Sequence, residues 1–185
     1  MPAIATPFDS ARLDRLMDEA GIDVLHATSK HNVQYLLGAE RAIFFDYMDA
    51  LGTSRYLPVV IYPKGMPDKA AYIGHRLETH QRSVAPPWVP RVLTTGNGSI
   101  DAIARAVELI RTAGVPKRRI GVELAFLPMD AGRALTDALP DSEIRDALFV
   151  LERLRAVKTP AELNKLRAAS DKNDRRLATT EAEGR

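Results

Sequence analysis

The stretch GIDVLHATSKHNVQYLLG, residues 21–38, joins a short strand to a short helix. Residues 22–27, IDVLHA, form the compact and mostly apolar run that is typical of a buried strand. The next residues predict a helix from Ser29 to Leu37, and Gly38 is of the residue type that commonly ends a helix. Because a strand followed at once by a helix is the repeating unit of α/β proteins, we expect the flanking sequence to repeat it.

The alternation of strands and helices continues on both sides of this stretch. Upstream, Asp9 or Ser10 can cap a first helix that ends at Gly21. Downstream, the sequence predicts strands at residues 56–63, 69–74, 89–95, 120–124 and 142–147, and helices that begin at Ser99 and Pro128. The short turn between the first two of these strands predicts a hairpin, so the sheet should contain antiparallel as well as parallel pairs. We therefore predict an α/β fold with a mixed β-sheet flanked by helices.

Near the end of the sequence, Leu148, Leu151 and Leu154 recur at helical spacing and predict a helix with one buried face. A second, well-specified helix follows it within LERLRAVKTPAELNKLRAAS, residues 151–170. Thr159 and Glu162 have the spacing of a capping box, and Pro160 occupies the first helical position, where its missing N–H costs nothing. Beyond this stretch Leu177 is the only large apolar residue. The end of the helix therefore has little surface to bury, and we expect it to fray or to pack on a partner.

Length and composition fit one globular domain followed by a linker. The chain has 185 residues, of which 45% are hydrophobic and 27% are charged, so it has enough apolar material for a core. We predict a domain at residues 1–156 and a connector helix at residues 157–185.

Composition also excludes several classes of protein. The chain has no cysteine, which excludes a disulfide framework, thiol catalysis and cysteine metal sites. Its net charge is only +2 and its aromatic content only 6%, so we expect no nucleic-acid partner. The sequence has neither a signal-peptide pattern nor an apolar run of membrane-spanning length, and we expect a cytoplasmic protein with no membrane partner.

The motif TTGNGSI, residues 94–100, lies between a predicted strand and a predicted helix. Backbone N–H groups at such a junction favour an anion, and Glu123 ends the next strand roughly where a ribose-binding acid would be expected. However, Asp101 breaks the G-x-G-x-x-G pattern, and an acid in the first turn of a helix opposes a phosphate. An ordinary loop in which Ser99 caps the helix is therefore favoured over a nucleotide site.

The titratable residues show no recognisable catalytic set. The four histidines lack the spacing of a metalloprotease motif, and surface or loop positions are expected for them. They are His26, His31, His75 and His80. Asp46 and Asp49 can pair around a cation, but solvated loop charges are the more common role of such residues. We predict no catalytic residue and no metal ligand in this chain.

Three segments, taken together and in this order, resemble a known family. They are GIDVLHATSKHNVQYLLGAE at residues 21–40, IGVE at 120–123 and LRAVKTPAELNKLRAAS at 154–170. The first carries an N-x-x-Y-L-x-G pattern made by Asn32, Tyr35, Leu36 and Gly38. The set resembles the N-terminal domain of the creatinase, prolidase and aminopeptidase P family, the M24 "pita-bread" metallohydrolases.

This resemblance implies a creatinase/prolidase-type N-terminal domain with a ribonuclease H-like motif. In that family the capped helix leads into a catalytic domain, absent from this chain, which binds two divalent metal ions (Mn, Co or Zn). The N-terminal domain packs against the catalytic domain of the same or a neighbouring subunit, commonly in a homodimer, and helps to select substrates such as Xaa-Pro peptides or creatine. We therefore expect a substrate-shaping and oligomerising domain that is not catalytic alone.

The irregular segment 39–56 is the part that we expect at the mouth of the substrate site, because function concentrates on irregular loops. The candidate residues are Phe44, Phe45, Asp46, Arg55 and Tyr56. Arg55 can pair with a substrate carboxylate; alternatively, the phenylalanines belong to the core and Arg55 is a surface charge. Two other functions stay open, a non-catalytic protein-binding module of the same fold and, less favoured, a nucleotide-binding domain.

Overall fold

The computed structural model describes residues 4–38, 57–96, 98–115 and 119–183, which contain six β-strands and seven α-helices. The strands are β1 (Val24–Ala27), β2 (Val59–Pro63), β3 (Ala71–His75), β4 (Arg91–Gly96), β5 (Arg119–Val122) and β6 (Glu143–Asp146). The helices are α1 (Ser10–Glu19), α2 (Lys30–Leu36), α3 (Thr79–Val84), α4 (Ser99–Thr112), α5 (Met129–Ala138), α6 (Leu148–Ala156) and α7 (Pro160–Glu183). Within these residues, no helix combines the length and the apolarity that crossing a membrane would require.

The strands form one sheet in the order β4-β3-β2-β1-β5-β6. β1 pairs antiparallel with β2 and parallel with β5, while β2 and β3 form the predicted antiparallel hairpin. The outer pairs, β3 with β4 and β5 with β6, are parallel. The prediction of an α/β fold with a mixed sheet is therefore confirmed. Because β1, β5 and β6 run in the same direction, their carboxyl ends lie at the same edge of the sheet.

A partly buried ion pair fixes the other ends of β1 and β5. Arg119 donates from Nε and Nη2 to the two carboxylate oxygens of Asp23, at 2.7 Å in both cases. The hydrogen bonds from Arg119 hold the pKa of the Asp23 carboxyl below its usual value. Since this bidentate contact joins the residue before β1 to a strand far along the sequence, it helps to specify the register of the parallel pair.

Each face of the sheet has its own apolar core. Successive side chains of a strand point to opposite faces, so Leu25 and Ala27 of β1 contribute to one core and Val24 to the other. The first core is closed by α1, α2 and α6, and the second by α4 and α5. Helices therefore cover both faces of the sheet.

The chain divides into two compact units, Met1–Leu154 and Arg155–Arg185. In the second unit the predicted capping box is present: Thr159 N–H donates to Glu162 Oε2 at 2.8 Å, and Glu162 N–H donates to Thr159 Oγ1 at 3.2 Å. Pro160 is the first residue of α7, as expected. The assignment of residues 1–156 and 157–185 as domain and connector stays a prediction.

One helix has no counterpart among the elements predicted from the sequence. α3 forms in a polar, proline-rich stretch because Glu78, just before it, is buried and accepts hydrogen bonds from Arg82 of α3 and from Tyr72 of β3. The helix is thus specified by contacts with a strand rather than by apolar periodicity.

The predicted role of Ser99 as a helix cap is wrong. Gly98 is the N-cap residue of α4 and Ser99 is the first helical residue. The Ser99 hydroxyl donates instead to the Asp130 carboxylate, at 2.7 Å. The Ser99 hydroxyl is therefore bonded to Asp130 of α5 and not to a backbone group at the start of α4.

Candidate functional site

The carboxyl ends of β1 and β5 meet the start of α2 around the carboxylate of Glu123, which has no solvent exposure. Its Oε2 accepts hydrogen bonds from the backbone N–H groups of Thr28 and Ser29, at 2.6 and 2.8 Å. Its Oε1 accepts from Ser29 Oγ and from Asn32 Nδ2, both at 2.6 Å. Four donors thus converge on a group that, when ionised, only accepts hydrogen bonds.

Glu123 supplies from the end of β5 the anionic cap that α2 lacks in its own sequence. Ser29 is the N-cap residue, but its hydroxyl makes no cap hydrogen bond because it donates to Glu123. A carboxylate at a helix N-terminus also interacts favourably with the helix dipole. The backbone of Glu123 contributes as well, since its carbonyl oxygen accepts from the N–H groups of Phe126 and Leu127 and turns the chain after β5.

A cavity of about 310 Å³ opens beside this junction. Its lining combines the start of α2, the residues before β2 and the turn after β5, namely Thr28, Ser29, Lys30, His31, Leu57, Pro58, Phe126 and Pro128. Thr28 Oγ1 donates to the carbonyl oxygen of Pro58 at 3.0 Å, which ties two of these walls together. The cavity has apolar walls and a polar rim, the combination that small-molecule sites commonly show.

His31 is held in place at the rim of the cavity. Its ring lies edge-on to Phe126, with the ring centroids 5.4 Å apart and the planes at 76°. Its Nε2 is 3.3 Å from Ser29 Oγ, so the hydroxyl that donates to Glu123 also contacts the imidazole. The exposed ring can donate or accept a hydrogen bond, depending on its tautomer.

His26 is in the core, so the expectation of a surface or loop position is wrong for this histidine. It is fully buried in β1, opposite Ile61 of β2 and Val122 of β5. Neither ring nitrogen has a hydrogen-bond partner among the described residues. Burial lowers the pKa of the imidazole to about 4, so the ring is neutral at pH 7.

The five predicted mouth residues, Phe44, Phe45, Asp46, Arg55 and Tyr56, lie outside the described residues, as does the predicted acid pair Asp46 and Asp49. The described chain resumes at Leu57, which lines the cavity. The placement of segment 39–56 at a substrate mouth therefore stays a prediction. Leu57, the residue that follows this segment, is part of the cavity wall.

Other predicted features do not assemble into a site. His75 Nδ1 accepts from the N–H of Leu77, and His80 is an exposed residue of α3. Among residues 4–38, 57–96, 98–115 and 119–183 there is no group of three or more side chains that can hold a metal ion.

The described residues of the glycine loop at 94–100 also lack the features of a nucleotide site. Asp130 hydrogen-bonds to Ser99 at the start of α4, where Asp101 adds a second carboxylate to the first turn. Both oxygens of Glu123 accept hydrogen bonds from Thr28, Ser29 and Asn32, so this acid does not have the expected geometry of a ribose ligand.

Sequence reasoning missed most of the residues around the cavity. Thr28, Ser29, His31 and Phe126 come from two segments that are far apart in the sequence, and only the Thr-Ser pair before a predicted helix gave a local signal. Such a pair suggests a helix cap. Glu123, which accepts the hydrogen bonds of Thr28 and Ser29 and so caps the helix in their place, becomes apparent only once β1 and β5 are paired.

Comparison with known proteins agrees with this architecture. Residues 10–157 match the model of the Creatinase/Prolidase N-terminal domain. No match was found among curated proteins.

Solved structures give the same fold. An Xaa-Pro dipeptidase from Bacillus anthracis is 22% identical with a TM-score of 0.61, and the match covers 84% of this chain and 37% of that one. A prolidase from Pyrococcus furiosus is 18% identical with a TM-score of 0.58, over 84% of this chain and 40% of that one. The N-terminal domain of the cytoplasmic peptidase PepQ from Mycobacterium tuberculosis H37Rv is 22% identical with a TM-score of 0.53, over 79% of this chain and 99% of that domain.

This chain spans less than half of the two longer enzymes and nearly all of the isolated N-terminal domain. The resemblance seen in the sequence is thereby confirmed, since the family model covers most of the chain and the fold is that of the same domain. The chain belongs to the Creatinase/Prolidase N-terminal domain family.

Proposed function

We propose that this chain is the N-terminal, substrate-shaping and oligomerising domain of a cytoplasmic metallohydrolase that acts on Xaa-Pro peptides or on small creatine-like compounds. The observation that carries the proposal is the cavity at the carboxyl edge of β1 and β5. Its wall includes Leu57, the first described residue after the segment 39–56 that was predicted to form the substrate mouth. Family membership and the named activities of the structural neighbours support the same assignment.

The chemistry of the cavity suits one end of a small peptide. Leu57, Pro58 and Phe126 offer apolar surface to a ring or an aliphatic side chain, while His31 and Lys30 bring an imidazole and an ammonium group to the rim. In this proposal the domain contributes shape and charge to a substrate that is held elsewhere, and Arg55 contacts its carboxylate.

The metal ions of the proposed enzyme belong to another domain. The described residues do not fit a metal centre, because no three potential ligands cluster among them. We therefore assign the two divalent ions, Mn, Co or Zn, to a catalytic domain of the same or a neighbouring subunit in a homodimer. This chain would then bind and orient substrate without carrying out the hydrolytic step.

The test uses the full-length product of the gene, assayed for Xaa-Pro dipeptide hydrolysis with Mn²⁺. His31→Ala should raise KM several-fold, because it removes an oriented group from the cavity rim. Arg55→Ala should lower kcat/KM about ten- to a hundred-fold, the effect of losing a hydrogen bond to a charged group. His80→Ala is the matched control, since it removes an exposed histidine of α3 that does not line the cavity.

The outcomes separate the competing functions. Unchanged kinetics for both His31→Ala and Arg55→Ala would overturn the substrate-shaping role. If a folded, metal-loaded full-length protein hydrolyses neither Xaa-Pro dipeptides nor creatine, the non-catalytic binding module of the same fold is favoured instead.

A further inference from the structure

We propose that β6 is the contact strand of a homodimer, in which the β6 strands of two copies pair antiparallel around Ile144 and join two six-stranded sheets into one. The inference rests on the oligomerising role proposed above and gives that role a surface and a partner. The partner is a second copy of this chain, because the surface around β6 is complementary to itself.

Among the residues that the structure describes, β6 pairs with another strand along one edge only. β6 is the last strand of the sheet, and β5 is its only strand neighbour in the described part of the chain. Ala147 N–H donates to the carbonyl oxygen of Val122 at 2.8 Å, which shows that residue 147 faces β5. Backbone groups alternate along a strand, so those of Glu143 and Arg145 also face β5. The N–H and C=O groups of Ile144 consequently point away from the sheet.

An antiparallel pair centred on Ile144 uses these outward-pointing groups. The two Ile144 residues would exchange both of their N–H and C=O groups, as residues of a hydrogen-bonded pair do. Glu143 would then lie opposite the Arg145 side chain of the second copy, in a non-hydrogen-bonded position where side chains approach most closely. Centring the pair on Glu143 or on Arg145 would instead place two like charges opposite each other, which is destabilising.

Two charged residues of β6, Glu143 and Arg145, already form an ion pair within one chain. Within one chain Arg145 Nη2 lies 2.9 Å from Glu143 Oε1, and the two side chains are 35% and 57% exposed. In the dimer each arginine would have a glutamate on its own strand and another on the partner strand. Charged side chains, especially lysine, commonly keep an edge strand from pairing, and charges of the same sign that meet across two strands are destabilising. Alternating charges, as in Glu143-Ile144-Arg145, make the edge self-complementary.

Exposed apolar side chains lie beside Ile144 and in α6, the helix that directly follows the strand. On the face covered by α5, Leu124 and Met129 are 57% and 73% exposed and form an apolar groove of about 370 Å³ together with Ile144. Phe149 of α6 is 67% exposed. Pairing of two short strands alone would bury less than the roughly 800 Å² per partner of a stable interface, so these apolar side chains must contribute. We accordingly expect a weak, reversible dimer.

Sedimentation of the chain itself at micromolar concentrations tests the proposal. The wild-type chain should show a monomer–dimer equilibrium. Glu143→Arg and Arg145→Glu, each alone, should raise the dimer dissociation constant at least tenfold, because each places like charges opposite each other. An equimolar mixture of the two variants should recover dimerisation as a heterodimer, since the two positive side chains of one β6 strand then lie opposite the two negative side chains of the other.

The matched control is Glu108→Arg. It makes the same change of charge in an exposed ion pair of α4, with Arg105, and should leave the dimer unchanged. Because Arg145 also donates to the carbonyl oxygen of Ala20, its variant must first be shown to unfold at a temperature close to that of the wild type. If the Arg145→Glu variant is destabilised, the comparison of Glu143→Arg with Glu108→Arg still tests the pairing at β6.

A monomeric wild-type chain, or a dimer that Glu143→Arg leaves intact, would overturn the pairing at β6. Hydrolysis of Xaa-Pro peptides by the full-length protein is a separate measurement, so a monomeric chain in an active enzyme would reject this interface and leave the substrate-shaping role standing. A chain that dimerises through β6 in a protein without hydrolytic activity would support this interface and reject the substrate-shaping role.

Discussion

Glu123 places a carboxylate where solvent does not reach and surrounds it with four hydrogen-bond donors. Burying a charged group is costly unless its partners are complete, and removing a partner leaves the other groups unsatisfied in the interior. Since two donors are backbone N–H groups of Thr28 and Ser29, the carboxylate also fixes the position of the cavity wall. At this residue, stability and site geometry depend on the same contacts.

Glu123→Gln should therefore be strongly destabilising although it preserves shape. The amide group turns one acceptor into a donor that faces other donors, and we expect a loss of about 2–4 kcal/mol in the free energy of unfolding. Urea denaturation at pH 7 measures it. Glu108→Gln, at an exposed glutamate, is the control and should cost less than about 1 kcal/mol. Equal, small losses for both variants would show that the buried network does not stabilise the fold.

His26 predicts a dependence of stability on pH. Its pKa is 6.5 in the unfolded chain and about 4 in the folded chain, because burial disfavours the charged ring. The unfolded state therefore binds a proton first as the pH falls, so the contribution of His26 is complete above pH 6.5 and is lost between pH 6.5 and 4. Between pH 7.5 and 5 the wild type should lose about 2 kcal/mol through this residue.

The variant His26→Leu isolates that contribution. It should flatten the pH dependence of urea unfolding between about pH 7.5 and 5, and His80→Leu, which removes an exposed histidine of α3, is the control. Part of the slope will persist in His26→Leu, because partial burial also lowers the pKa of His75. Identical slopes in the wild type and His26→Leu would mean that the buried imidazole does not titrate as its environment requires.

At the scale of elements, β3 and α3 depend on a close approach at Gly74. A Cβ atom at this position would lie 2.8 Å from Tyr72 Cε1 and 2.9 Å from Glu78 Oε2. Neither neighbour can move freely, because the Tyr72 hydroxyl donates to Glu78 and Arg82 lies against both. The absent side chain of the glycine is what allows a buried ion pair to pack against the strand.

Gly74→Ala is expected to cost about 1–3 kcal/mol, as overpacking of a filled core does. Gly132→Ala is the matched substitution, and we expect it to raise the free energy of unfolding instead of lowering it. It lies within α5, where the nearest atom to the new Cβ is Leu127 Cδ2 at 3.7 Å, so replacing glycine in a helix should stabilise by up to about 1 kcal/mol. Thermal unfolding of both variants would show the contrast, and a neutral Gly74→Ala would contradict the tight approach.

The long helix α7 should be unevenly stable. Its start is held by the Thr159–Glu162 capping box, but after Ser170 the only large apolar side chain is Leu177. We expect amide protons of residues 171–183 to exchange rapidly in the dilute chain, while those of the strands stay protected. Hydrogen exchange followed by mass spectrometry measures both. Strong protection of residues 171–183 in a monomer would show that this helix needs no partner.

Helices that are specified by residues near them in the sequence could be predicted, whereas a helix that depends on contacts with another element could not. α1 begins where Asp9 caps it, accepting from the N–H of Arg12, and α7 begins at its capping box. By contrast, α3 depends on the contacts of Glu78 with Tyr72 and Arg82, which sequence periodicity does not contain.

At the scale of the molecule, the order of the strands was beyond the reach of the sequence pattern. Alternating strands and helices indicated an α/β fold, and the turn before β3 indicated a hairpin. The local sequence does not indicate that β1 lies between β2 and β5, because this strand order depends on long-range contacts such as that of Asp23 with Arg119. The cavity shares this limit, since its walls come from three separate segments.

The chain as a whole should retain no catalytic metal and should not hydrolyse Xaa-Pro dipeptides by itself. The reason is the lack of clustered ligands in its described residues and the absence of cysteine from its sequence. Dialysis against Mn²⁺, Co²⁺ or Zn²⁺ followed by metal analysis and a peptidase assay tests this. Stoichiometric metal together with metal-dependent turnover would refute it.

The central position of β1 also has a consequence for the order of folding. β2 and β3 are close in sequence and can pair early, whereas Thr28 and Glu123 are 95 positions apart and must close a long loop before they meet. We infer that the parallel seam between β1 and β5 consolidates after the main barrier. Substitutions at Glu123 would then leave the folding rate nearly unchanged and accelerate unfolding, so that their damage would appear as a shorter lifetime of the native state.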